Sequence, residues 1–202
     1  AFAKLHDIVL LHDACYTEVA YDGYRPVSML QVPGAKDVGI EFHSLSKSYN
    51  MTGWRLGMAA GNPEVIRALF LVKSNIDSGV AQAVQQMGIR ALETPDEDVD
   101  LRNQRYQVRR DRVIDALAGL GLRVTPPKAS LYVWAPVPPG HTSATFATAI
   151  LDDLDIVVTP GSSYGVHGEG YIRLSLTLAD EDLDEGVRRL ASWKLPDPKA
   201  TG

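Results

Sequence analysis

One cysteine among 202 residues, Cys15, leaves no intrachain disulfide to form. That excludes a disulfide-stapled scaffold and fits a reducing compartment. No apolar run approaches the ~20 residues needed to cross a bilayer, so no membrane association is expected, and no secretory signal pattern opens these residues. Positive charge is not in excess. The 20 Lys and Arg stand against 25 Asp and Glu, net −5, which removes the basic surface on which nucleic-acid binding rests. His6, His12, His43, His141 and His167 are scattered without metal-ligand spacing, so no metal site is expected. Internal repeats and low-complexity stretches are absent too. What remains, 45% hydrophobic and 22% charged, is the composition of an ordinary globular protein expected in the cytoplasm.

The first half alternates strand-like and helix-like segments. Ile8 to Leu11 reads as a buried strand by its continuous aliphatics, and Gly39 to Phe42 and Leu56 to Ala60 as two more. Between them, residues 17–38 carry the turn signals Asp22-Gly23 and Pro33-Gly34. Asn62-Pro63-Glu64 is a helix start with cap, N1 proline and first-turn acid; Val65, Ile66, Leu69 and Val72 share one face of that helix. A second helical pattern covers 79–92, and 97–120 reads as one long charged helix. Beyond it the pattern becomes α+β. Leu131–Trp134, Ile156–Val158 and Tyr171–Ser175 are expected strands; Thr142 or Ser143 caps one helix, and Asp180 opens the last. Ala1–His6 resembles the last turns of a helix with no cap ahead of it, so either residues precede it or it is a frayed first helix.

The chemistry-bearing stretch is Phe42-His43-Ser44-Leu45-Ser46-Lys47-Ser48-Tyr49-Asn50-Met51-Thr52-Gly53-Trp54-Arg55-Leu56-Gly57. It sets one lysine among hydroxyls just after a strand, where ligands bind in α/β sheets. A lysine amine forms an imine with an aldehyde, and serines with a guanidinium hold a phosphate monoester. Upstream, Asp13 ends the aliphatic run, and its carboxylate suits a protonated ring nitrogen in a partly dry place; alternatively it caps the next turn. Tyr16 either donates its hydroxyl to a ring oxygen or packs as a half-buried tyrosine. Lys47, Ser44, Ser46, Arg55, Asp13 and Tyr16 are together the groups that a pyridoxal 5'-phosphate (PLP) enzyme requires. Gly161 to Gly170 reads either as a flexible loop at a substrate entrance, carrying Tyr164 and His167, or as a plain glycine-rich turn.

With Asp13-Ala14-Cys15-Tyr16, Ser-x-Ser-Lys-x5-Gly-x-Arg-x-Gly and Gly170-Tyr171-Ile172-Arg173-Leu174-Ser175, essentially the whole chain resembles the C-terminal half of a fold-type I, class I/II PLP-dependent aminotransferase. The wording of 42–57, 129–138 and 157–175 is similar to LL-diaminopimelate and aspartate/alanine-type members. The resemblance implies an α/β fold: part of a PLP-binding large domain over 1–100, with a mostly parallel sheet, and an α+β small domain over 101–202. It implies amino-group transfer between an L-amino acid and a 2-oxo acid, PLP as cofactor and a homodimer. Lys47 resembles the cofactor-binding lysine and general base, Asp13 the partner of the pyridine nitrogen, and Tyr16 the donor to the ring's phenolic oxygen. Ser44, Ser46 and Arg55 resemble phosphate ligands, and Arg173 the arginine that grips the substrate α-carboxylate. An N-terminal segment that such enzymes use cannot be mapped, so these residues read as an N-terminally truncated chain. A β-lyase or synthase of the same fold and a non-catalytic aminotransferase-like fragment stay open.

Overall fold

The computed structural model describes residues 1–195, which fall into two compact units, the first Ala1–Asn103 and the second beginning at Gln104. Both are mixtures of helix and sheet, and the class is α/β.

In the first unit a short helix α1 (Phe2–Leu5) leads into strand β1 (Leu10–Asp13). Strand β2 (Gly39–Ser44) is central, pairing in parallel with β1 and antiparallel with β3 (Gly57–Gly61). A one-turn helix α2 (Leu45–Ser48) follows β2, and α3 (Pro63–Ile76) and α4 (Gln82–Leu92) follow β3. The start of α3 is as its sequence dictates: Asn62 Oδ1 accepts the amides of Glu64 and Val65, and Pro63 occupies the first turn. One expectation about burial fails here, and a second element shows the same lack of cover. The strand read at Ile8–Leu11 begins two residues later, and its aliphatics are exposed, Leu11 by 69%. On α3 no residue is buried, and Val72 is 59% exposed. Local signals form a helix or strand, whereas burial needs a covering element, and none closes over these side chains among the described residues.

Helix α5 (Asp96–Gly119) carries the chain from the first unit into the second. There β4 (Tyr132–Pro136), β6 (Tyr171–Ser175) and the two-residue β5 (Thr159–Pro160) form an antiparallel sheet with β6 central. Helices α6 (Ser143–Leu154) and α7 (Asp180–Ser192) complete the unit. Strand alternation sends Val133, Ala135, Ile172 and Leu174 into a core with Leu117 of α5, Phe146 and Ile150 of α6, and Leu183 and Leu190 of α7. Thr142 caps α6 through a reciprocal box with Thr145. Ile156–Val158 is not a strand. Ile156 and Val158 pack on the core while Val157 is 84% exposed, an extended alternation whose ladder to β6 forms only at Thr159 and Pro160.

Candidate active site

Parallel pairing sets Asp13, the last residue of β1, opposite Phe42, so β1 and β2 end on the same sheet edge. Ser44 closes β2 and caps α2, its Oγ accepting the Ser46 amide at 3.2 Å. Lys47 therefore sits on a turn whose other residues are fixed, with Leu45, Ser46 and Ser48 buried. Its Nζ lies 5.9 Å from the centroid of the Tyr16 ring, and among the described residues it makes no ion pair. Thr52 Oγ1 donates to the Ser46 carbonyl and the Leu45 amide to that of Leu56, folding the segment bearing Arg55 back onto α2. Arg55 takes the left-handed conformation (φ 53°), and its Nη1 donates to the Thr52 carbonyl at 3.0 Å. Gly57 serves close packing: a Cβ there would lie 2.7 Å from the His43 carbonyl oxygen. One end of the first unit thus holds Asp13, Tyr16, Ser44, Ser46, Lys47 and Arg55.

The Asp13 carboxylate is exposed rather than half-dry. The Cys15 thiol, then the Cys15 amide at 3.3 Å, hold its carboxyl below the usual range, so it is ionised at neutral pH. The turn-capping and functional readings of Asp13 are thus compatible. Burial first, and the bond to Asp13 second, push the Cys15 thiol up to about 11.

A cluster that the sequence did not disclose lies on the neighbouring strand positions. Glu41 is 1% exposed; its carboxylate contacts His12 Nδ1 at 2.7 Å and His43 Nε2 at 2.8 Å, and accepts Ser28 Oγ at 2.9 Å and the Met29 amide at 2.8 Å. Burial alone would raise this carboxyl; hydrogen bonds from His12, Ser28, His43 and Met29 outweigh it and hold it at about 2. The cluster ties the 17–38 segment to β1 and β2, one residue from both Asp13 and Ser44. Only the register pair His12–Glu41 brings it together, which residue spacing does not signal.

Arg173 belongs to the second unit. Ile172 and Leu174 are buried around it, as alternation requires, and it is itself half-buried. Its guanidinium carbon lies 4.1 Å from the centroid of the Tyr132 ring and 4.8 Å from that of Tyr164. Other arginines of this unit face carboxylates: Arg109 and Asp180, Arg112 and Asp184, Arg188 and Glu185. Arg173 faces none among the described residues. The stretch Gly161–Gly170 is not a loose loop: it forms two 3-10 turns, Gly161–Tyr164 and Val166–Gly168, pressed together backbone to backbone.

Chemically, the first unit offers an amine that has no carboxylate partner among the described residues, an ionised carboxylate, and hydroxyls with a guanidinium. That donor set suits PLP, with its aldehyde, basic ring nitrogen and phosphate monoester.

Residues 1–190 match the family described as aminotransferase class I and II. An LL-diaminopimelate aminotransferase from Dehalococcoides mccartyi is 58% identical over 193 residues, covering 96% of this chain and 50% of that protein. Among solved structures, substrate-bound BacF from Bacillus subtilis aligns with a TM-score of 0.89 at 35% identity, over 98% of this chain and 51% of that one. A probable N-succinyldiaminopimelate aminotransferase from Thermus thermophilus aligns with a TM-score of 0.86 at 36% identity, over 94% and 50%. The chain spans about half the length of the curated relatives it matches.

Proposed function

The chain belongs to the class I and II aminotransferase family, and on that premise we propose that it carries the reactive lysine of a PLP-dependent enzyme moving amino groups between an L-amino acid and a 2-oxo acid. The observation that carries this reading is Lys47: a half-buried amine, free of any ion pair among the described residues, at the sheet edge where Asp13 also ends its strand. The names of the similar proteins add a substrate class, an amino acid of the diaminopimelate type with a carboxylate at each end.

Each residue then has a task. The Lys47 amine would hold the cofactor's aldehyde carbon, and Ser44, Ser46 and Arg55 its phosphate. Asp13, ionised, would keep the ring nitrogen protonated, and the Tyr16 hydroxyl would donate to the ring's phenolic oxygen. When bound, the cofactor supplies an electron sink for the pair left on the substrate's Cα. The Lys47 amine would then also be the base that takes the substrate's Cα proton. Arg173 grips the α-carboxylate with its planar fork. We read residues 1–100 as part of the cofactor-binding domain, the rest as the small domain, and the assembled enzyme as a homodimer.

The test is Lys47→Ala in the full-length polypeptide that carries these residues. Loss of a positioned base lowers amino transfer from LL-diaminopimelate by roughly 10²- to 10⁴-fold. A near wild-type rate would refute the assignment, and turnover without an oxo-acid acceptor would point to a lyase.

A further inference from the structure

We propose that Tyr164 and Tyr132 are positioning residues for Arg173, their rings fixing the guanidinium so that its N–H edge meets a planar carboxylate. This deepens, and rests on, the reading of Arg173 as the carboxylate-binding residue. An arginine side chain is long and loses much rotamer freedom on binding, so fixing it beforehand strengthens recognition. An ion pair to the protein would fix it but would also occupy the fork. Aromatic rings avoid that conflict: they attract the cation through their negative faces and leave the in-plane N–H donors available. Arg173 shows this arrangement, with two rings at 4.1 and 4.8 Å and no carboxylate partner among the described residues.

The rings are themselves braced. Tyr132 stands on β4, in the ladder against β6. Tyr164 comes from the 3-10 turn after β5, and its ring meets Trp134 edge-on at 5.7 Å; Trp134 stacks on Tyr171 at 5.6 Å. The turn is held in place from below. A Cβ on Gly161 would lie 1.9 Å from the Gly168 carbonyl oxygen, so the two turns touch through backbone that no side chain could separate. The Ser143 amide and hydroxyl, together with the Gly170 amide, donate to the Glu169 carboxylate at 2.7, 2.7 and 2.9 Å. Ser143 is fully buried and opens α6, so the segment carrying Tyr164 is pinned to a helix of the core.

The test uses the full-length holoenzyme, with KM and kcat measured for LL-diaminopimelate and for 2-oxoglutarate. Tyr164→Leu raises KM for both about three- to tenfold, because both carry the same α-carboxylate, while kcat holds within about twofold. Tyr164→Phe, which keeps the ring, recovers most of that loss. Arg173→Lys costs more, about 10- to 100-fold in KM. If Arg173→Lys is impaired but Tyr164→Leu binds like wild type, the positioning role is overturned. It is also overturned if Tyr164→Phe fails like Tyr164→Leu, or if only one substrate is affected. If Arg173→Lys binds both substrates like wild type, the reading of Arg173 itself falls instead.

Discussion

The two units obey the same sequence rules and end differently. In the second, the apolar positions that build the core from α7 and β6 are buried: Leu183 and Leu190, Ile172 and Leu174. In the first, an equally regular spacing on α3 and the continuous aliphatic run that leads into β1 stay largely open to solvent. Local pattern selects the element and its face, while burial belongs to the assembly of elements around it. The second unit contains its own partners. The first is organised instead around polar ties, Glu41 with its two histidines above all, and around the sheet edge that presents Lys47.

Core truncation breaks this contrast most sharply. Phe146→Ala removes a fully buried ring of the second unit and is expected to cost about 3–5 kcal/mol, whereas Phe70→Ala on exposed α3 costs about 0.5 kcal/mol or less. Urea unfolding of both variants decides it, and equal losses would mean that α3 is covered in solution. Next in size is the polar tie of the first unit. The folded Glu41 carboxyl, at about 2, lies below its ordinary 4.5, so the unfolded chain takes up the proton first. The stabilisation is therefore complete above pH 4.5 and is lost as pH falls towards 2. Glu41→Gln should be on the order of 2–3 kcal/mol less stable than wild type at pH 7, with the gap closing across that window. A gap independent of pH would show that the ionised carboxylate is not what holds the cluster. Smallest are the caps. Thr142→Ala and Asn62→Ala each remove a side-chain acceptor from a helix start, worth about 1 kcal/mol. The α6 variant should lower the unfolding midpoint of the whole second unit. The α3 variant should appear mainly as faster amide exchange over 63–67, because no buried residue couples that helix to a core.

What could be read beforehand follows the same division. Asn62-Pro63, Thr142 and the alternation Tyr171–Ser175 are local signals, and their elements form where expected. The proximity of Lys47 to Tyr16 follows from motif order, because β1 and β2 run parallel and end at Asp13 and Ser44, each three residues before the residue concerned. The Glu41 cluster does not, since it joins positions 12, 28, 41 and 43 through a parallel register. Ile156–Val158 has the composition of a strand but lacks the ladder partner that makes one. The link of two tyrosines to Arg173 was not legible for a related reason: Tyr132 is a strand residue 41 positions upstream, and Tyr164, though singled out, sits in a stretch that reads as a loop or a plain glycine-rich turn.

The bond between Asp13 and Cys15 has a practical consequence for labelling chemistry. With its thiol raised to about 11, the chain's one cysteine is only about one part in a thousand thiolate at pH 8, so alkylating reagents capture it slowly. Opening the turn would free the sulfur from burial and from the carboxylate together, and speed its capture. The alkylation rate at position 15 is thus a clock for the turn that follows β1, readable by mass spectrometry without any substrate present.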